Sequence, residues 1–216
     1  MIRDIVWPSR PEMYDPARLK ALRHYQYRSV DKSPISWYIL RPYWNAVAGC
    51  MPLWLAPNTI TLIGTAFIFA AASLTLLYSP DLSTPLPRWL HYFSALALWM
   101  YSTMDNVDGK QARRTNSSSP LGELFDHGCD AIVVGLGLVM MIGSLEVGRS
   151  WFAVLAMGLA FWSFFLPTWE EYHTGVLHLG VVNGPTEGIL LFVAMYLVTG
   201  TFGAGVWRTP IYGTWT

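Results

Sequence analysis

The 216-residue chain has few charged residues, few cysteines and no excess of either charge. Charged residues make up 13%, about half of the roughly 25% that is usual in a soluble domain. Because 14 basic residues balance 14 acidic ones, no basic excess exists to neutralise nucleic-acid phosphates. Two cysteines, Cys50 and Cys129, are too few for a disulfide scaffold. A nucleic-acid binder and a disulfide-rich protein are therefore excluded, and 53% hydrophobic residues exclude a disordered chain.

Long uncharged runs, in contrast, are abundant. Five stretches approach the about 20 apolar residues that a helix needs to cross a bilayer. They cover residues 60–78, 89–104, 131–145 (extended N-terminally by 122–130), 151–167 and 189–204. Such runs leave too little polar surface for a soluble fold. We predict an all-α polytopic membrane helix bundle of about five transmembrane helices.

The first 57 residues are polar and form a predicted N-terminal arm. Eight basic residues lie in this arm and three follow the second span, against one each in the first loop, the third loop and the tail. Because basic residues favour the cytosolic side, we predict a cytosolic N-terminus. Residues 18–47 mix aromatic and basic side chains, which is typical of an interfacial amphipathic helix. An irregular arm with scattered aromatic residues is the alternative.

An acidic cluster lies between the second and third predicted spans. Asp105 and Asp108 are spaced i, i+3, and Asp126 and Asp130 are spaced i, i+4, so each pair shares one helix face. A predicted loop of about a dozen residues, 111–122, lets the two helices run antiparallel. We therefore expect four carboxylates to face each other across a helical hairpin, close to the membrane boundary.

Four carboxylates in a small space favour a hard cation such as Mg²⁺, Mn²⁺ or Ca²⁺. Intramembrane carboxylates generally mark functional sites. Salt bridges to Arg113 and Arg114 are the alternative, but two arginines cannot neutralise four aspartates. A divalent cation beside an arginine suits phosphoryl transfer, and Gly109 lets a substrate approach the backbone.

The residues of this region form one continuous pattern, Asp105-x2-Asp108-Gly109-x2-Ala112-Arg113-x8-Gly122-x3-Asp126-x3-Asp130. This pattern resembles the signature of the CDP-alcohol phosphotransferases. The flanking segments PNTIT (57–61), TWEEYHTGVLHLG (168–180) and GPTEGIL (184–190) resemble the eukaryotic choline/ethanolamine phosphotransferases. The resemblance covers residues 18–205. We predict an arm over 1–57, a transmembrane phosphotransferase domain over 58–205 and a divergent tail over 206–216.

The resemblance implies a reaction and a set of site residues. Diacylglycerol attacks the β-phosphate of CDP-choline or CDP-ethanolamine, and the products are phosphatidylcholine or phosphatidylethanolamine and CMP. Mg²⁺, with Mn²⁺ as the alternative, is expected on the metal ligands Asp105, Asp108, Asp126 and Asp130. Substrate-binding residues are expected at Asn58, Gly109, Arg113 and Glu123.

The residue that accepts the proton of the diacylglycerol hydroxyl stays open between His127 and Asp130. A carboxylate that ligates Mg²⁺ is a weak base, whereas an unperturbed imidazole has a pKa of about 6.5. A histidine at the position of His127 is a proposed proton acceptor in the eukaryotic branch. A hydrogen-bonding role for His127 beside the site is the alternative.

The resemblance also implies the setting. Members of this branch are multi-pass enzymes of the endoplasmic reticulum or Golgi, with a cytosolic active site, membrane lipids as neighbours and a homodimer as the expected assembly. They are longer, with further helices, so we expect a C-terminally truncated form. A catalytically weak or inactive regulatory membrane fragment is the alternative. An intramembrane prenyltransferase would place its second aspartate cluster on a distant helix, and an ion carrier would transport Mg²⁺ without releasing CMP.

Overall fold

The computed structural model describes Pro16 and residues 27–208. The described chain is helical apart from loops and two three-residue strands, β1 (Ser29–Asp31) and β2 (Leu177–Leu179). The helices are α1 (Arg41–Cys50), α2 (Pro57–Tyr78), α3 (Arg88–Arg114), α4 (Pro120–Ser144), α5 (Trp151–Thr174) and α6 (Ile189–Phe202). Single helical turns at Ser36–Leu40, Gly184–Gly188 and Ala204–Arg208 adjoin α1 and α6. The predicted all-α class is confirmed.

Four helical segments of the described chain are long and apolar enough to cross a membrane. They are α2, α4, α5 and the segment Gly184–Phe202, which contains α6. Four of the predicted spans lie on these segments. The prediction ended one of them at Pro167, whereas α5 continues to Thr174 with the proline inside the helix. The molecule has the helices of a polytopic membrane protein.

The remaining predicted span lies in α3, which has 27 residues but is not among the four apolar segments. Polar and charged residues occupy its C-terminal half. Much of the helix is buried, because α2 and α6 pack along it. Leu90, Ala97 and Val107 are inaccessible. Because other helices shield it from lipid, α3 can carry polar side chains that a lipid-facing helix excludes.

The helices α2 and α3 come into direct backbone contact at Gly64. A β-carbon at this position would stand 2.9 Å from Met104 Cβ and 3.2 Å from Tyr101 Cα. Both separations are shorter than ordinary van der Waals contact, so a side chain there would push α3 away. Glycine therefore sets the position of α3 one turn before its first aspartate.

Serine caps begin the helices α4 and α5. The Ser119 hydroxyl accepts a hydrogen bond from the Gly122 N–H, and Ser150 does the same for Ala153. These bonds satisfy N–H groups that the first turn of a helix leaves without partners. Gly175 ends α5 in the left-handed conformation, with φ 69°. The chain then turns into β2.

The N-terminal arm is only partly described, since residues 18–26 of the predicted interfacial helix and 209–216 of the predicted tail lie outside the described residues. β1 pairs with β2 in parallel, with Ser29 opposite Leu177. A strand therefore interrupts the predicted helix, because a distant segment satisfies the hydrogen bonds of this backbone. The helical part starts at Ser36 and exposes Trp37 and Tyr38. An interfacial position for this segment stays a prediction.

Candidate metal centre and active site

The site lies where the end of α3 meets the start of α4. The predicted loop over 111–122 is wrong in extent, because α3 continues to Arg114 and α4 begins at Pro120. Gln111 is fully buried, and its Nε2 donates a hydrogen bond to the Pro52 carbonyl oxygen at 2.8 Å. This tertiary contact extends α3 by a turn and leaves a loop of five residues.

Three of the four predicted metal ligands come together in the structure. Asp105, Asp126 and Asp130 each offer one carboxylate oxygen, and these oxygens lie within 4.8 Å of one another. Asp108 is not part of this group, but its buried carboxyl interacts with that of Asp126. The i, i+3 and i, i+4 spacing thus produces the expected convergence, with Asp108 at the edge of the group.

A divalent cation fits these residues. The donor set consists of carboxylate oxygens, which Mg²⁺ and Mn²⁺ prefer over zinc-type ligands. Oδ1 of Asp126 is buried and has no hydrogen-bond partner among the described residues. A buried, unpaired carboxylate oxygen is costly unless a cation or donor compensates it. The orphaned oxygen therefore marks where a metal ion would bind.

Two hydroxyl groups donate hydrogen bonds to the aspartates, and neither residue is among the predicted site residues. The Tyr101 hydroxyl donates to Asp130 Oδ1, and the Thr61 hydroxyl donates to Asp108 Oδ2. The sequence contains a feature that could have pointed to each of these residues. Tyr101 precedes Asp105 by four residues, which is one helical turn, and Thr61 belongs to the PNTIT segment.

The two arginines at the end of α3 have different surroundings. A β-carbon at Gly109 would stand 3.7 Å from Nη1 of Arg113, so the Arg113 guanidinium lies over this glycine. Arg114 instead donates to the Ala48 carbonyl oxygen and, at 2.9 Å, to Gln111 Oε1. Arg114 thus ties α3 to α1, whereas the exposed Arg113 is the arginine that a phosphate can reach.

The first turns of α2 and α4 adjoin each other beside the aspartates. Oδ1 of Asn58 lies 3.5 Å from the position that a β-carbon of Gly122 would take. Glu123, the next residue, lies in the first turn of α4, and its N–H donates to the Ser119 carbonyl oxygen at 3.2 Å. Asn58 and Glu123, predicted as substrate-binding residues, therefore lie at the same end of the bundle. Their binding role stays a prediction.

His127 lies between the aspartates and the end of α5. Its Nδ1 is 3.1 Å from the Glu123 carbonyl oxygen, and its Nε2 is 3.9 Å from Glu171 Oε2. Because a carbonyl oxygen only accepts, Nδ1 carries the proton in this contact. The neutral ring then has its basic lone pair on Nε2.

Tyr27 adds an aromatic side chain from the arm. Its ring centroid lies 6.3 Å from that of His127, with the planes at 67°. Burial raises the pKa of the Tyr27 hydroxyl, and the negative charges of Glu171, Glu123 and Asp126 raise it further. Tyr27 is therefore a neutral phenol beside an acidic site.

The fold and the site together define an integral membrane protein with a cluster of carboxylates at the end of a helical hairpin. The family model described as CDP-alcohol phosphatidyltransferase matches residues 54–215. The chain therefore belongs to the CDP-alcohol phosphatidyltransferase family, as its sequence pattern predicted.

Relatives that are named for a phosphotransferase activity are similar over most of this chain. Choline/ethanolaminephosphotransferase 2 of Arabidopsis thaliana is 47% identical over 192 residues, which cover 88% of this chain and 48% of the relative. Choline/ethanolaminephosphotransferase 1 of Saccharomyces cerevisiae is 41% identical over 197 residues, covering 91% and 50%. Cholinephosphotransferase 1 of the same yeast is 39% identical over 191 residues, covering 88% and 49%. The chain spans about half the length of these curated relatives.

Proposed function

We propose that the chain transfers phosphocholine or phosphoethanolamine from CDP-choline or CDP-ethanolamine to diacylglycerol, releasing CMP. The products are phosphatidylcholine or phosphatidylethanolamine. The observation that carries the proposal is the convergence of Asp105, Asp126 and Asp130 within 4.8 Å, beside Arg113 and inside a family motif. The names of the relatives support the choice of substrates.

The metal ligands of this proposal are the three converging aspartates, with Asp108 completing the set. Mg²⁺ is the expected ion and Mn²⁺ the alternative. A bound divalent cation neutralises diphosphate charge and stabilises the leaving CMP. The hydroxyl groups of Tyr101 and Thr61 hold Asp130 and Asp108 in fixed orientations.

The substrate-binding roles follow from position. Arg113 donates to phosphate oxygens of the nucleotide, since its guanidinium is exposed above Gly109. Gly109 leaves room for the diphosphate to approach the helix backbone. Asn58 and Glu123 would bind the substrate from the first turns of α2 and α4, which adjoin each other.

The transfer is an in-line displacement at the β-phosphorus. The diacylglycerol oxygen forms a bond to phosphorus, the bond from phosphorus to the CMP oxygen breaks, and the hydroxyl proton goes to His127 or Asp130. The contact of Nδ1 with the Glu123 carbonyl favours His127, because it leaves Nε2 as the acceptor. Asp130 already accepts a hydrogen bond from Tyr101 and lies among the metal ligands.

The test is CMP release by the purified chain in liposomes that contain diacylglycerol. CDP-choline and CDP-ethanolamine are supplied separately, with Mg²⁺ or with EDTA. We expect Mg²⁺-dependent release that Asp130→Asn lowers by about 100-fold or more. The matched control is Asp81→Asn, since Asp81 is an exposed aspartate in the loop between α2 and α3, at the other end of α3.

A second candidate function is a regulatory membrane protein that acts by pairing with an active enzyme. The observation that favours it is the exposure of α5. Only 6% of its most apolar 18-residue stretch is buried in the described chain. Such a protein would release no CMP alone. It would change the activity of an added full-length relative, and Asp130→Asn would leave that change intact.

We further propose the endoplasmic reticulum or Golgi as the location, with the N-terminus and active site cytosolic and a homodimer as the assembly. The charge distribution around the spans supports the orientation. The exposed apolar surface of α5 supports the dimer. Protease protection in sealed microsomes tests the orientation, and cross-linking in the membrane tests the dimer.

A further inference from the structure

Tyr27, Glu171 and His127 form a second group of side chains beside the aspartates. Tyr27 contacts His127 edge-on, and Glu171 Oε2 lies 3.9 Å from Nε2 of the same imidazole. The negative charge of Glu171 acts on the Tyr27 hydroxyl. Tyr27 is 44% exposed, so a ligand can reach it. The catalytic roles proposed above use neither Tyr27 nor Glu171.

Backbone pairing holds Tyr27 in place. The Leu177 N–H donates to the Arg28 carbonyl oxygen at 2.9 Å, and the Lys32 N–H donates to the Leu179 carbonyl oxygen at 3.1 Å. The strand pair therefore fixes the residue next to Tyr27 against the chain that leaves α5. Because Glu171 lies in the last turn of α5, the same junction positions both side chains.

Side chains strengthen this junction. The buried Ser33 hydroxyl donates to Glu187, and the Asn183 side chain donates to Asp31 at 3.4 Å. Asn183 also bonds through its backbone N–H to Glu187 at 2.9 Å. These bonds fix residues 28–33 of the arm against residues 177–187.

Glu171 has a histidine, His127 at 3.9 Å, as its ion-pair partner, whereas some other carboxylates pair with arginines. Arg41 lies 3.8 Å from Asp31, and Arg208 lies 2.8 Å from Glu146. Among the described residues, no lysine or arginine lies within 4.0 Å of the Glu171 carboxylate, whose side chain is only 12% exposed. A mostly buried carboxylate beside a neutral aromatic ring is the combination that attracts an organic cation.

We infer, on the basis of the proposed function, that Tyr27 and Glu171 receive the cationic amino-alcohol end of the nucleotide substrate. The substrate has two ends of opposite charge, a diphosphate and an ammonium group. The aspartates, through their metal, and Arg113 take the diphosphate. His127 separates these residues from Glu171, so the ammonium end lies at the junction between the arm and α5. Tyr27 supplies the aromatic surface and Glu171 the opposite charge.

The test compares the binding of CDP-choline, CDP-ethanolamine and the uncharged-alcohol analogue CDP-glycerol to the full chain in nanodiscs with Mg²⁺. We expect Tyr27→Leu to weaken CDP-choline binding about fivefold through loss of the cation–π contact. We expect Glu171→Gln to weaken the binding of both cationic nucleotides about tenfold. Both variants should bind CDP-glycerol within about twofold of the wild type, because its alcohol carries no charge.

Two further variants serve as controls. Tyr27→Phe keeps the ring and should retain CDP-choline affinity. Glu170→Gln removes the neighbouring carboxylate, which lies beside His178 at 3.8 Å, and should change none of the affinities.

Equal losses for CDP-choline and CDP-glycerol would overturn the inference, since they would mean a structural role. Unchanged CDP-choline binding in both variants would overturn it as well. A wild-type chain that binds none of the three nucleotides with Mg²⁺ would contradict the proposed function itself.

Discussion

At the scale of single residues, the candidate metal centre depends on groups outside the proposed ligand set. Tyr101 and Thr61 each donate a hydroxyl hydrogen to one oxygen of an aspartate. A fixed donor on one oxygen leaves the other oxygen in a defined direction for a cation. The orientation of the carboxylates is therefore set before any metal binds.

Tyr101→Phe removes one of these donors and keeps the ring. We expect Mg²⁺ affinity to fall about tenfold, because Asp130 loses its orienting partner. The measurement is a Mg²⁺ titration of CDP-choline binding. Tyr196→Phe is the matched control, since this buried tyrosine bonds to the Gly137 carbonyl oxygen at 3.3 Å, on another helix. Equal Mg²⁺ affinity in the wild type and Tyr101→Phe would contradict the orienting role.

The sequence predicts the aspartates but not the hydroxyl donors. Helical spacing is sufficient to bring Asp126 and Asp130 to one face. Asp105 joins them from a second helix, so the full convergence also needs the packing of α3 against α4. Thr61 reaches Asp108 from a different helix, 47 residues away. Such a contact depends on how α2 packs against α3, which spacing within one helix cannot specify.

At the scale of elements, the close contact at Gly64 determines the position of α3. We expect Gly64→Ala to lower the melting temperature and weaken Mg²⁺ binding, because the new methyl group meets the Tyr101 backbone, which carries the donor to Asp130. Overpacking of this kind costs about 1–3 kcal/mol.

Gly158→Ala is the control for that substitution. This glycine also lies in a long apolar helix, α5, and a β-carbon there would meet nothing within 4 Å. Alanine should leave the melting temperature unchanged or raise it, since glycine is the weaker helix former. A Gly64→Ala protein with wild-type melting temperature and Mg²⁺ affinity would show that the helices adjust without loss.

The apolar runs predict the helices well and the connections poorly. Four runs lie on helices long enough to span a membrane, because an uncharged run of this length has no other stable state in lipid. The α3–α4 loop is shorter than predicted, since Gln111 is polar in sequence but buried by contacts with the chain before α2. The strands have three residues each, too few for a recognisable alternation.

At the scale of the whole molecule, burial is uneven. Within the most apolar 18-residue stretch of each helix, 44% is buried in α2 but only 6% in α5. The carboxylates lie in the shielded part, where α3 meets α4 and Thr61 of α2 contacts Asp108, whereas most side chains of α5 are exposed. A shielded position keeps carboxylates away from hydrocarbon.

Metal binding should stabilise the whole bundle, because the aspartates come from two different helices. A ligand at about 100 times its Kd adds about 2.7 kcal/mol to the free energy of unfolding. We expect Mg²⁺ to raise the melting temperature in detergent by several degrees and EDTA to reverse the rise. The double variant Asp126→Asn/Asp130→Asn should show no rise. A rise of equal size in that variant would place the stabilising ion elsewhere.

The pairing of β1 with β2 also has a consequence for biosynthesis. Ser29 and its partner Leu177 are 148 positions apart in a chain that is made from the N-terminus. When Tyr27 leaves the ribosome, the strand that will hold it does not yet exist, and α2 to α5 must be made first. Tyr27 therefore takes its position beside His127 late, after the helices with the four aspartates have been made. A nascent chain stopped before Leu177 would contain all of its aspartates but would lack β2, the strand with which β1 pairs.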